Sequence, residues 1–138
     1  MIFNRILSML TMIILLIFSN FVQAEEIRHI EIQQGNSIEV SRIHYWNKVC
    51  AHLPAVVDLV VEPEHGEVQF QKIISTIGNF GGGRLMAGSL EGCVGLPIEA
   101  VQVIYIPNSG FIGTDEFTVS GGPTKEQSTT ITWRVQVQ

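Results

Sequence analysis

The chain has 138 residues, of which 46% are hydrophobic, and its 8 basic and 13 acidic residues give a formal net charge of −5 at pH 7. This length fits one domain of ordinary size with enough chain to bury a core. Nucleic acids and anionic membrane surfaces attract clustered Lys and Arg, so the acidic balance and the lack of a long basic patch argue against both as partners.

The N-terminal residues have the three-part pattern of a secretory signal peptide. Arg5 precedes an apolar run from Ile6 to Phe18, and the ending Val22-Gln23-Ala24 predicts cleavage after Ala24. An uncleaved anchor helix is the alternative, but it would need about 20 predominantly apolar residues, and polar residues interrupt this run. We therefore expect a signal peptide at 1–24 and one secreted domain at 25–138, periplasmic or extracellular, with no membrane insertion after cleavage.

The period of the hydrophobic pattern beyond residue 25 is two, as in half-buried strands. In chain order the candidate strands are 27–33, 37–41, 55–62, 67–72, 98–106, 115–120 and 129–138. The strands at 55–62 and 98–106 are rich in β-branched residues and are predicted to be covered on both faces. In the strands at 27–33, 37–41, 67–72 and 129–138, one face is predicted to be buried and the other exposed: Val68 and Phe70 point inward in the fourth candidate, and Thr132 points outward in the last.

Turn signals rich in glycine and proline separate these runs, and no stretch has the pattern of an amphipathic helix. About seven short strands at this spacing predict an all-β fold, an antiparallel β-sandwich, with a barrel as the alternative.

Cys50 and Cys93 are the two cysteines of the chain. An even number in a secreted chain predicts a disulfide, which would stabilise the fold by roughly 4 kcal/mol. A metal pair with His52 is the alternative, but it offers too few ligands for a structural zinc site, which needs four. Because Trp46 precedes Cys50, the arrangement of a tryptophan between paired cysteines is not met, and we expect the disulfide to join loops or strand ends.

Two motifs in the second half of the chain resemble a known family. The stretch VIYIPNSGFIGTDEFTV, Val103–Val119, resembles the bacterial Ig-like or cadherin-like repeat, in which a strand ending in Tyr-x-Pro meets a Gly-Phe-x-Gly-x-Asp-x-Phe corner. EPEHGEV, Glu62–Val68, is similar to the Pro-x-His-Gly hairpin of the same family, and 129–137 fits its last strand. The resemblance spans roughly Pro54 to the C-terminus and implies an Ig-like β-sandwich.

The corner in the first motif is predicted to be structural. Pro107 should end its strand, Gly110 and Gly113 permit positive φ where the chain reverses, and Asp115 can accept backbone N–H bonds in the turn. The aromatic residues expected to close this end of the core are Tyr105, Phe111 and Phe117. Acidic residues bind calcium between tandem repeats of the family, but Asp115 and Glu116 alone fall short of the 6 to 8 oxygen ligands that calcium takes. We therefore expect a turn and no metal.

The glycine-rich stretch 78–93 is long for a connection within a compact domain, and such loops are often functional. It is either a flexible hairpin tip held by Cys93 or a binding loop. A disulfide would bring it near the segment 45–50. Aromatic residues, Met and Arg are enriched in interface cores, so the predicted contact surface consists of Tyr45, Trp46, Arg84, Leu85 and Met86.

Two classes of function compete. The first is a secreted, non-enzymatic Ig-like module of a bacterium that binds another protein or a surface polymer through loops or a sheet edge, with no cofactor. The second is a small secreted hydrolase or metal-binding protein that uses His44, His52 and Asp58. The chain has no Gly-x-Ser-x-Gly nucleophile motif. No Asp or Glu lies at a spacing from His44 or His52 that would indicate a catalytic or metal site. The sequence therefore favours the binding module over an enzyme.

Overall fold

The computed structural model describes residues 26–78 and 92–138, and these two ranges contain strands and no helix. The strands, in chain order, are β1 Glu26–Ile32, β2 Ile38–Ile43, β3 Tyr45–Trp46, β4 His52–Leu53, β5 Val56–Val61, β6 Gly66–Thr76, β7 Pro97–Pro107, β8 Gly113–Gly122 and β9 Thr129–Val137. No segment in these ranges is a helix long and apolar enough to cross a membrane. The predicted signal peptide at 1–24 and its cleavage site lie outside the described residues.

The seven longer strands form two sheets, one with the order β1-β9-β8-β5 and one with the order β2-β7-β6. Neighbouring strands are antiparallel except for β1 and β9, which run parallel. The two sheets enclose a common core, so the predicted all-β sandwich is confirmed. The described residues form nine strands because a hairpin of two-residue strands, β3 and β4, is added, and strands of that length show no alternation in the sequence.

The main core lies between the two sheets. Val103 and Tyr105 of β7, Phe117 of β8, and Val135 and Val137 of β9 have no exposed surface. Burying a large apolar side chain contributes roughly 1.5–3 kcal/mol, so the inward rows of the central strands supply most of the driving force. The alternation predicted for β9 is the cause, since every second side chain of a strand points to the same face.

Three predictions of exposure are wrong, and strand position explains two of them. Thr132 was predicted to face water but is buried, and its hydroxyl lies 2.8 Å from that of Thr118 on the neighbouring strand. Phe70 is 40% exposed because β6 is an edge strand. The strand predicted at 55–62 to be covered on both faces is also an edge, β5, and its Val60 and Val61 are 57% and 52% exposed.

The β6–β7 ribbon carries a second core on its other face. Its register is unbroken over all eleven residues of β6, so odd and even positions of β7 keep to opposite faces throughout. Val103 points into the main core, whereas Ile98 points into a separate cluster. This second core consists of Trp46, Ile77, Cys93 and Ile98, with Cys50 packed against it. The ribbon therefore extends beyond the sandwich and is covered there from the outside.

The predicted disulfide joins Cys50 to Cys93, with Cα atoms 5.3 Å apart. Cys50 ends the turn between β3 and β4, where the Asn47 side chain accepts hydrogen bonds from the backbone N–H groups of Val49 and Ala51. Cys93 lies in the turn before β7. The bond thus ties a hairpin to the end of the ribbon, as predicted, and does not link the two sheets.

Replacing both cysteines, Cys50→Ser with Cys93→Ser, is expected to lower the free energy of unfolding by about 4 kcal/mol, because a cross-link over 43 residues restricts the unfolded chain. Chemical denaturation measures the difference. In the native cysteine-free protein, the fluorescence of Trp46 in a Trp133→Phe background should shift to the red, because the second core loosens first. Trp133 in a Trp46→Phe background is the control, and equal red shifts would contradict separate opening of the second core.

Candidate functional site

The corner between β7 and β8 is organised by the carboxylate of Asp115, which is 4% exposed. It accepts four hydrogen bonds: from the backbone N–H groups of Glu64 (3.0 Å), His65 (3.0 Å) and Glu116 (2.9 Å) and from the hydroxyl of Tyr105 (2.8 Å). An ionised carboxylate has about four acceptor positions. Asp115 is therefore saturated, and three of its four donors lie outside β8, the strand to which it belongs.

This saturation bears on the possibility of calcium binding at the corner. Each lone pair of Asp115 already has a donor, and Glu116 forms an ion pair with Arg134 at 2.7 Å. A calcium ion would have to displace these partners to gain ligands. Among the described residues, no three His, Cys, Asp or Glu side chains lie close enough together to hold a metal. The corner is a structural joint.

The two motifs of the resemblance meet at this joint. Gly66 of the Pro-x-His-Gly hairpin lies so close to the Tyr105 ring that a Cβ built on it would come within 2.5 Å of a ring carbon. The ring of the preceding His65 stacks on Phe111 of the corner, with centroids 4.4 Å apart. Gly113, with φ at 138°, adopts the positive φ predicted for it. Burial, followed by the bond to Asp115, raises the pKa of Tyr105, so its hydroxyl remains a donor.

The residues of the rival hypothesis lie in different environments. His44 is 4% exposed, and its ring stacks on that of Trp46 with centroids 5.7 Å apart. His52 lies on β4, with Nδ1 3.6 Å from a carboxylate oxygen of Glu99. Asp58 is exposed on the edge strand β5. The structure does not bring His44, His52 and Asp58 together as a group that could hold a metal.

The predicted contact surface needs a correction. Tyr45 and Trp46 are only 5% and 1% exposed, because β3 folds over the ribbon and Trp46 fills the second core. Their side chains are therefore not accessible to a partner, and the expectation that they form part of a surface is wrong. The other predicted members, Arg84, Leu85 and Met86, lie outside the described residues.

Neither of two clefts in the described part of the chain has the character of a ligand pocket. The first, of about 130 Å³, is lined by His52, Pro54, Ala55, Lys72, Glu99, Ala100 and Val101. It is smaller than the roughly 300 Å³ at which small-molecule sites begin. The second, of about 410 Å³, is lined mainly by polar side chains, namely His29, Ile30, Glu31, Thr114, Arg134 and Gln136, whereas such sites are predominantly apolar.

Within the described residues, the feature with the character of a binding site is the pair of free edges formed by β5 and β6. Both leave large apolar side chains in water: Val60 and Val61 on β5, and Phe70 and Ile74 on β6, the last 70% exposed. The sequence predicted loops or a sheet edge as the contact but did not identify this feature. The signal for it is the break of alternation at Ile73-Ile74 after the row of Val68 and Phe70, which places one isoleucine on each face of the ribbon.

No protein-family model and no curated protein matches the chain. Among solved structures, the solution structure of Amebosin is similar to it with a TM-score of 0.40 and 12% sequence identity, over 83% of this chain and all of that one. A likeness at this level carries no argument about function.

Replacing Asp115 by Asn is expected to lower the free energy of unfolding by about 3 kcal/mol or more, since it weakens several buried charge-assisted hydrogen bonds at once. Glu116→Gln is the matched control: it removes one exposed ion pair and should cost less than about 1 kcal/mol. Urea denaturation with and without calcium measures both. A calcium-dependent rise in the stability of the unmutated protein that Asp115→Asn abolishes would contradict the structural role.

Burial, followed by the positive charge of Arg42, lowers the pKa of His44 in the folded protein. The unfolded state, where histidine titrates near 6.5, then binds more protons than the folded state just below that pH. The free energy of unfolding should therefore fall as the pH drops from about 6.5 toward the lowered pKa. Denaturation of the His44→Phe variant across this range should show a flatter dependence. An unchanged slope would exclude His44 as its source.

Proposed function

We propose that the chain is a secreted, non-enzymatic Ig-like module of a bacterium, which acts in the periplasm or outside the cell by binding another protein or a surface polymer. The binding uses a free sheet edge, with the loops beside it as a second contact. No cofactor takes part in this function.

The strand order supports the Ig-like type. In the constant-type Ig domain, strands A, B, E and D form one sheet and C, F and G the other. With the seven longer strands lettered in chain order, this chain has B-E-D in one sheet and A-G-F-C in the other. The two arrangements differ only in the first strand, which pairs with the last strand here.

Two observations support secretion. The Cys50–Cys93 disulfide is of a kind that persists in oxidising compartments and is rare in the cytosol. The N-terminal pattern of one cation, an apolar run and a small-residue ending is that of a leader. Together they favour the periplasm or the cell exterior.

The observation that carries the binding function is the free edge of β6. This strand has eleven residues, and one side of its backbone is unpaired within the described structure. Proteins usually shorten, bend or charge such edges because they pair readily with other chains. Here Phe70 and Ile74 remain exposed on one face of the strand, on either side of Lys72. Main-chain bonds along an edge, with side chains that select the sequence, are a common mode of peptide recognition.

Capture from native envelope extracts tests this function. The purified mature chain should retain a partner, identified as protein by mass spectrometry or as polymer by sugar analysis. Ile74→Lys should reduce the capture about tenfold, since one apolar side chain at the centre of an interface often contributes more than 1 kcal/mol. The matched control is Ile112→Lys, because Ile112 is 64% exposed and lies in the corner between β7 and β8, outside the strands.

Equal capture by the two variants and by the unmutated chain would remove the β6 edge as the binding site. Melting curves of both variants belong to the experiment. A loss of capture counts only if the melting temperature is unchanged.

A further inference from the structure

We infer that the strand that pairs with β6 is β6 of a second copy of this chain, in an antiparallel pair centred on Gln71. The resulting dimer is two-fold symmetric, and its two three-stranded sheets join into one continuous sheet. This inference rests on the proposed function in one respect, the use of the β6 edge, and names the partner that fits it.

The sheet edges in the described structure are β1 and β5 of one sheet and β2 and β6 of the other, and they differ in how open they are to pairing. The pairing of β5 shifts register at Val60, and that of β2 shifts at Val40. Such bulges bend a strand and end further pairing. The strand β1 has seven residues, whereas β6 has eleven, an unbroken register and no proline. The edge most open to pairing is therefore β6.

The β6 edge is complementary to a second copy of itself. A two-fold axis through Gln71 of an antiparallel pair sets Phe70 of one copy opposite Lys72 of the other, and Val68 opposite Ile74. Each pair lies on one face, as opposite residues in a sheet must. The arrangement covers Phe70 and Ile74, which are 40% and 70% exposed in the single chain.

Lys72 fits the same arrangement. No carboxylate of the described residues lies within ion-pair distance of it. In the dimer its ammonium group lies beside the Phe70 ring of the second copy, where a cation is attracted to the face of the ring. A single Lys would otherwise protect an edge strand from pairing, but here it meets an aromatic ring.

The size of the contact predicts its strength. A strand of eleven residues is about 37 Å long at roughly 3.4 Å per residue, and a sheet is about 10 Å thick, so each copy buries about 370 Å². This is less than the roughly 800 Å² per partner of a standard stable interface. The dimer should therefore be weak, with a Kd above about 1 μM.

Cysteine cross-linking tests the register. In the proposed dimer the two copies of residue 71 lie opposite each other, with Cα atoms about 4.5–5.5 Å apart, a distance that a disulfide spans. Gln69→Cys is the matched control on the same face, because its two copies would be about 14 Å apart. The protein concentration should be roughly 100 μM, which exceeds the lower bound of about 1 μM predicted for the Kd. Under these conditions, oxidised Gln71→Cys should give at least about tenfold more cross-linked dimer than Gln69→Cys.

Peptide mapping must show that Cys50–Cys93 remains intact in the cross-linked product. Equal cross-linking of the two variants, or none in either, would overturn the inference.

Sedimentation of the purified chain, without any envelope extract, tests the association itself. The unmutated chain and Ile112→Lys should show an average mass that rises with concentration, whereas Ile74→Lys should stay monomeric. A purified chain that remains monomeric up to about 1 mM overturns the dimer.

The two proposals fail separately. If the chain is monomeric but Ile74→Lys loses envelope capture, the binding function stands and its partner is not a second copy. If the dimer forms but capture does not depend on Ile74, the dimer stands and the β6 edge is not the site that binds the envelope partner.

Discussion

The carboxylate of Asp115 is the point on which the rest of the sandwich depends. It belongs to β8 in one sheet, and its hydrogen bonds reach Tyr105 in the other sheet and the turn that carries the chain from β5 to β6. A buried charge is tolerated only when it is fully hydrogen-bonded. The turn must therefore adopt the one conformation that presents its two N–H groups, and Gly66 must leave room for the Tyr105 ring. The spacing of the sheets at this end follows from that requirement.

The sequence predicted correctly those structural features that depend on neighbouring residues along the chain. Alternation in β9 identified its buried row, because a strand with one wet face enforces that pattern. The prediction was wrong for β5, whose valines suggested a strand covered on both faces. A β-branched residue suits an edge strand as well as a central one, and edge or centre is decided by strand order, which involves residues far apart in sequence.

In the candidate site, too, features with a local signal were predicted, and features that depend on distant parts of the chain were not. The disulfide was predictable because its chemistry requires only two cysteines and an oxidising compartment. Trp46 was misplaced because a tryptophan in an irregular segment serves a surface or a core equally well, and the second core that buries it exists only when β3 meets the ribbon. The β6 edge was not found because the break of alternation at Ile73-Ile74 does not distinguish an edge strand from a central one. The strand order that leaves β6 at an edge of the described structure involves residues far apart in sequence.

The parallel pairing of β1 with β9 has a mechanical consequence. The seven paired positions run from Glu26 opposite Ile131 to Ile32 opposite Val137, so the chain enters β1 at one end of the pair and leaves β9 at the other. A load that pulls the entering and leaving segments apart therefore acts along both strands in opposite directions. It strains all the hydrogen bonds of the pair together in shear, whereas an antiparallel hairpin pulled at its ends opens one bond at a time. Under such a load, the hydrogen bonds between β1 and β9 bear the force together along the whole paired length.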